Sequence, residues 1–380
     1  MTHHIVVLGA GYAGLAAAKR TAGRLRRAGT RVTLVNASDH FVERVRLHQT
    51  ATGQSLPERP LRRLLAGTGV ELVVARVTAV DADARTVRLD SAPHALGYDT
   101  LVYALGSGPD TAAVPGVTAH ASAVAAYDDA VRLRERLAHG TGSLAVAGAG
   151  LTGIETAAEL AETCPGTDIQ LVTGGELGAD LSARAARYLR RAMAQRGITV
   201  HEHTRIAEVT AEGLGLADGT EIAAGTVVWT AGFRVPELAR AAGIAVDERG
   251  LIRVDGALRS TSHPEVFAAG DAAAALGPDG CASRMSCQTG IPMGMRVADS
   301  VAAVVGGRTP RPLRLRYVGR NISLGRRDGL VQLTRADDTP VDRILTGRTA
   351  ARLKEAVTRS TVLAMRSPGP YVPGRAGRRN

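Results

Sequence analysis

A G-x-G-x-x-G loop that closes a buried strand and opens a helix occurs twice in this chain, about 140 residues apart, and few folds accommodate that. In HIVVLGAGYAGLAAAKR the apolar run Ile5 to Gly9 reads as a short buried strand. Gly9, Gly11 and Gly14 follow, and Leu15 to Lys19 continues as a helix. SLAVAGAGLTGIETAAEL repeats the pattern, with Gly148, Gly150 and Gly153 after the strand Leu144 to Ala147. The first glycine makes the tight turn, the second lets the backbone approach a pyrophosphate, and the third lets helix and strand pack closely. Phosphates then sit on the free N–H groups at the helix N-terminus. Two such loops imply two bound dinucleotides. The strand after each loop ends where a carboxylate usually meets the ribose. Here RVTLVN ends at Asn36, an amide that can still bond a ribose hydroxyl, and IQLVT ends near Thr173, with Glu176 three residues on. No arginine stands among Gly174, Gly175 and Glu176, which favours NADH over NADPH and keeps NADPH as the alternative.

At 380 residues with 45% hydrophobic and 22% charged residues, the chain exceeds one average domain and can bury a large core. The fold class expected is α/β, with two Rossmann-like dinucleotide-binding domains and a small C-terminal segment. No apolar run is long enough to span a bilayer, and the N-terminus enters a strand with no secretion signal before it. Three cysteines fit a reducing compartment, and nothing in the spacing suggests a metal site. Of 47 basic residues only Lys19 and Lys354 are lysines, a compositional bias that argues against reading the arginines as a nucleic-acid surface. The net charge is +11, yet residues 308–380 alone carry +12, from 17 basic and 5 acidic residues. That asymmetry is either a solvated face or a patch that meets an anionic surface.

With these motifs in view, the sequence resembles the two-dinucleotide flavoprotein reductases, in the type II NADH dehydrogenase and apoptosis-inducing-factor-like branch. The likeness covers nearly the whole chain. Tyr98 to Gly106 resembles the strand that closes the first FAD half, and Thr226 to Gly232 the equivalent strand of the NADH half. Val266 to Asp271 resembles the final FAD signature, and Phe41 to Gly53 the segment that runs past the flavin. The resemblance implies a glutathione-reductase-like arrangement, with Arg44, Val77, Gly106, Gly270 and Asp271 joining Gly9, Gly11, Gly14 and Asn36 at the FAD. It places Gly148, Gly150, Gly153, Glu176 and Gly232 at the NAD(P)H, and Glu155 near the nicotinamide. Asp271 has a plainer reading as the cap of a helix from Ala272 to Leu276. Gln288 resembles a glutamine of the family's quinone site, although Ser286, Cys287 and Gly290 depart from that pattern. Residues 41–53 hold no cysteine, so a dithiol relay at the family's usual position is excluded. Cys281 and Cys287 read as small apolar residues before they read as a redox pair.

The expected organisation is an FAD domain over 1–112, resumed over 236–308, an NAD(P)H domain over 113–235, a C-terminal interface segment over 309–366 and a flexible tail over 367–380. Leu313 to Thr334 reads as a meander of strands, followed by a helix from about Thr349 to Arg366. On that helix Leu353, Ala356, Val357 and Ala364 share one face, and Arg352, Arg359 and Arg366 recur every seven residues. The function implied is hydride transfer from NADH to flavin, then electron transfer to a small-molecule acceptor, a quinone among the candidates. A soluble biosynthetic tailoring oxidoreductase and a flavin-binding interaction protein with little turnover are the alternatives. The partner expected is that acceptor, with no nucleic acid; the basic C-terminal helix either meets an anionic membrane surface or packs its apolar face on the body of the protein with its arginines in water, and a homodimer and a monomer are both left open. The location expected is cytoplasmic, either free or peripheral on the inner face of the membrane.

Overall fold

The computed structural model describes residues 2–140 and 142–366. Each glycine loop leaves the central strand of its own five-stranded parallel sheet. In the first, the order is 266–268, 100–103, 3–8, 30–36 and 70–74. In the second it is 198–201, 168–172, 143–147, 226–229 and 121–123. Strands covered on both faces need continuous apolar runs, and Ile5 to Leu8 and Leu144 to Ala147 are fully buried. Each unit also inserts a three-stranded antiparallel sheet just before its closing strand: 77–81, 86–89 and 95–97 in the first, 206–209, 213–216 and 221–223 in the second. The chain passes between the two units twice, and the passages pair with each other, Phe233–Arg234 antiparallel to Gly108–Pro109.

Six helices position the groups discussed below: α1 (Tyr12–Arg24), α2 (Leu47–Ala51), α3 (Leu151–Thr163), α4 (Ala183–Gln195), α5 (Cys287–Val305) and α6 (Gly347–Arg366). α1 and α3 follow the two loops. α5 lies on α1 so closely that a Cβ on Gly294 would stand 2.1 Å from the Ala13 carbonyl oxygen. None of the described helices is both long and apolar enough to cross a membrane.

Three expectations are corrected. No helix forms over Ala272 to Leu276. Gly270–Ala272 is a single 3-10 turn, and Ala273–Ala274 pairs with Ile252–Arg253 instead, so strand pairing overrides alanine's helical preference. The meander starts at Gly319 and runs to Thr346, as strands 319–323, 329–334 and 340–346. α6 docks through another face than the apolar spacing suggests. Ala350, Thr358, Thr361, Val362 and Met365 are buried, whereas Leu353 and Val357 are 39% and 37% exposed. The threonines can be buried because their hydroxyls donate back to helix carbonyls, Thr358 to Lys354 and Thr361 to Thr358. Lys19 on α1 fastens the far end of α6, donating to the carbonyls of Leu64 and Met365 at 2.6 and 2.7 Å. The side chain of Arg366 and the expected tail, 367–380, lie outside the described residues.

Candidate active site

The two loops are built alike. Gly9 and Gly148 take φ of +91° and +102°, the left-handed region that favours glycine. A Cβ on Gly14 would stand 1.8 Å from the Gly9 carbonyl oxygen, and one on Gly153 1.8 Å from that of Gly148, so the third glycine in each loop is required for packing. Gly11 and Gly150 differ: a Cβ there meets nothing within 4 Å. Both open on free space at a helix N-terminus, the cradle a pyrophosphate needs. Asn36 serves the first loop directly. Its Oδ1 accepts from the Ala10 N–H at 2.9 Å, and its Nδ2 donates to the Ser38 carbonyl at 2.7 Å. Its first task is therefore to hold the loop.

Three residues beyond the closing strands 100–103 and 226–229 stand Gly106 and Gly232, both with positive φ. Beside Gly106 the structure gathers Arg44 and Asp271, 227 positions apart in the sequence. The Arg44 guanidinium lies 3.5 Å from the Asp271 carboxylate, and Ser107 Oγ donates to Asp271 Oδ2 at 2.6 Å. Gly270, with φ +72°, sits against Ala13 of α1. Ser107 carried no sequence motif. Val77 opens the first three-stranded sheet and packs against the core cluster that holds Leu8 and Val35.

Glu155, on the first turns of α3, is buried in a polar knot. The Lys354 ammonium of α6 stands 2.8 Å from its Oε1, the Ser323 N–H donates to the same oxygen at 2.9 Å, and His48 Nδ1 of α2 is 3.9 Å from Oε2. Burial works to raise the Glu155 carboxyl, but Lys354, His48 and Ser323 outweigh it and hold the group below its ordinary range. Burial pushes the His48 imidazole down to about 4, against the pull of Glu155. Lys354 also donates to the Asn321 carbonyl at 3.0 Å. A second tie joins α6 to the 41–53 segment: Arg46 reaches Glu43, Gln49 and Glu355. Cys287, the first residue of α5, lies where the charges of Lys354 and Glu155 act on its thiol. Gln288 is next to it and accepts from Arg284 at 3.2 Å. Cys281 is exposed and both cysteines are free thiols.

Glu176 is where the short sequence window was too narrow. Arg190 reaches it from α4 at 2.8 Å and also pairs with Glu202 at 2.7 Å, so an arginine does stand at this end of the second sheet, neutralised by two carboxylates. The residues that sequence reasoning missed are thus Ser107, His48, Lys354 and Arg190. Lys354 had a signal, since it is one of two lysines in an arginine-rich chain.

The pyridine nucleotide-disulphide oxidoreductase family profile matches residues 3–300. An NADH dehydrogenase-like protein of Mycobacterium tuberculosis is 37% identical over 316 residues, covering 76% of this chain and 78% of that protein. A type II NADH:quinone oxidoreductase of Staphylococcus epidermidis is 26% identical over 389 residues, with 93% of each chain covered. Among solved structures, the sulfide:quinone oxidoreductase of Aquifex aeolicus superposes with a TM-score of 0.81 over 98% of this chain and 93% of that one, at 19% identity. Two glycine loops of one construction on two like sheets therefore carry the meaning the relatives give them: this chain belongs to the pyridine nucleotide-disulphide oxidoreductase family and is an oxidoreductase that uses FAD and NAD(H).

Proposed function

We propose that the protein is an NADH:quinone oxidoreductase that works at a membrane surface, and that the acceptor is reduced beside the Lys354–Glu155 pair. The pair itself, a buried Glu155 carboxylate met by the half-buried Lys354 ammonium, is the observation that carries this reading. Bound FAD supplies the redox chemistry, accepting a hydride from the nicotinamide and passing the electrons on. In this reading Gly9, Gly11, Gly14, Asn36, Arg44, Val77, Gly106, Gly270 and Asp271 hold FAD. The chain supplies it from residues 1–112 and 236–308. Gly148, Gly150, Gly153, Glu176 and Gly232 hold NADH, within 113–235. The fit of FAD is supported by the open space at Gly11 and by the Asp271 carboxylate, which is oriented by Ser107 and Arg44. Asp271 can still accept from a ligand hydroxyl with its other oxygen.

A quinone takes up protons as well as electrons, and the Lys354 ammonium, held by Glu155 and the Asn321 carbonyl, is a donor in place to give one. Cys287 borders the same region from α5, with Gln288 next to it in the chain. The segment 41–53 has no thiol pair, so electrons do not leave by a dithiol there. Membrane docking is supported by α6, whose outer face presents Leu353, Val357 and Leu363 together with Arg352 and Arg359. The names of two relatives, each a quinone reductase, agree with the acceptor. Anaerobic mixing tests the reading. NADH-reduced protein is expected to be reoxidised by a soluble naphthoquinone analogue within the turnover time, with quinol formed in step with the NADH consumed. Reoxidation no faster than with buffer alone would refute the quinone assignment and favour the soluble tailoring enzyme.

A further inference from the structure

A groove of about 430 Å³ lies between α6 and the turn that joins strands 319–323 and 329–334. Arg348, Arg352, Glu355 and Arg359 line it from one helix face, spaced four, three and four residues apart over about three turns, roughly 16 Å. Arg326 and Arg327 line it from the turn. Five guanidiniums thus share the groove with one carboxylate. None of these residues belongs to either glycine loop, and hydride transfer uses none of them.

That carboxylate is already committed. Glu355 Oε1 accepts from Arg46 at 2.8 Å and from Arg359 at 2.7 Å. Arg326 bonds Glu159 at 2.9 Å. Arg327, Arg348 and Arg352 are exposed and have no salt bridge or side-chain hydrogen bond among the described residues. α6 also begins here with no acidic residue in its first turn, so the positive end of the helix adds to the excess. Like charges that face one another from a helix and a turn repel, and an anion lying between them removes that repulsion.

The lining selects the kind of anion. Between the charged residues stand only Ala351 and Ala356, with no aromatic ring to stack a base and no large apolar side chain to carry an acyl chain. Guanidinium forks match phosphoryl oxygens in pairs. A row of them roughly 16 Å long suits linked phosphoryl groups better than a single orthophosphate. We propose that the groove is a binding site for a phosphate chain, either inorganic polyphosphate or the phosphates of a nucleoside triphosphate. Arg326 and Arg327 hold it from one side, and Arg348, Arg352 and Arg359 from the other. The bound chain ties the turn to the first three turns of α6, the stretch whose inner side carries Lys354. Nothing in this site depends on which acceptor the enzyme reduces.

Titration calorimetry of the FAD-loaded, NAD-saturated protein with tripolyphosphate tests this, the two cofactors keeping the probe out of the glycine loops. One tripolyphosphate is expected to bind per chain, to raise the melting temperature and to slow amide exchange over 348–359. Sulfate at equal ionic strength should bind at least about tenfold more weakly. Arg327→Gln, Arg348→Gln and Arg352→Gln together should weaken tripolyphosphate binding about a hundredfold or more. The melting temperature of that variant without ligand should stay level or rise, because its arginines no longer repel one another. Magnesium-free ATP separates the two sources: affinity equal to that of tripolyphosphate marks the phosphates alone as recognised, and affinity about tenfold higher marks a nucleotide. Binding unchanged in the triple variant would place the phosphate chain elsewhere and overturn the site. Tripolyphosphate held no better than sulfate would overturn it too, and phosphatidylglycerol vesicles still bound through the same arginines would then give the groove to a membrane surface.

Discussion

Lys354 Nζ lies 2.8 Å from Glu155 Oε1, joining the first turns of the helix after the second glycine loop to the C-terminal helix across 199 positions. In a chain with only two lysines, both point inward and both also donate to backbone carbonyls. A compact ammonium with three donors fits such a corner, where a planar guanidinium would not.

Removing one member of the pair should therefore cost stability as well as activity. Lys354→Met leaves a buried carboxylate without its cation, a loss on the order of 2–3 kcal/mol once the partial exposure of Lys354 is allowed for. Adding Glu155→Gln should restore most of it. Urea unfolding of the FAD-loaded variants, read as a double-mutant cycle, checks this.

The glycine loops predict a division between binding and folding. Gly11→Val should abolish FAD retention and Gly150→Val NADH binding, each with little change in thermal stability, since those positions open on free space. Gly14→Val and Gly153→Val should instead unfold their units, because the new side chain collides with a carbonyl. Flavin absorbance, NADH titration and thermal melts separate the two outcomes.

These loops were legible because local spacing encodes them: strand, turn and helix lie within about 15 residues. The closing strands and Asp271 were legible for the same reason, each being a short apolar run ending at a special residue. What could not be read is what the fold brings together. Ser107 meets Asp271 from 164 positions away, and Glu155 meets Ser323 from 168. No periodicity records such contacts. The face of α6 was misread because apolar spacing is only one way to make a buried face. Here threonines with internally bonded hydroxyls and a paired lysine fill it, and three large apolar residues stay outside.

His48 makes the protein sensitive to mild acid. Its folded pKa, about 4, lies below the ordinary 6.5, so the unfolded chain binds the proton more readily. Stability is then full above about pH 6.5 and lost progressively towards pH 4, by on the order of 3 kcal/mol at about 1.4 kcal/mol per unit. Glu155, held below 4.5, adds its own loss only at lower pH. Melting temperatures between pH 7 and pH 4.5 should fall in the wild type and flatten in His48→Gln.

The exposed face of α6 predicts salt-sensitive binding to anionic membrane. Arg327, Arg348, Arg352 and Arg359 line one groove beside Leu353 and Val357. With about 1 kcal/mol per basic residue near the surface, neutralising Arg348, Arg352 and Arg359 to glutamine should reduce liposome binding a hundredfold or so. NADH oxidation with ferricyanide should be unaffected. Flotation with anionic and neutral vesicles at low and physiological salt measures this.

The pair at the centre of the account is tested most directly by separating the two half-reactions in Lys354→Met. Stopped-flow mixing of the FAD-loaded variant with NADH, then with a naphthoquinone, should show hydride transfer at the wild-type rate and quinone reduction slowed about a hundredfold. Quinone reduction at the wild-type rate, or equal slowing of both steps, would contradict the placement of the acceptor beside Lys354 and Glu155.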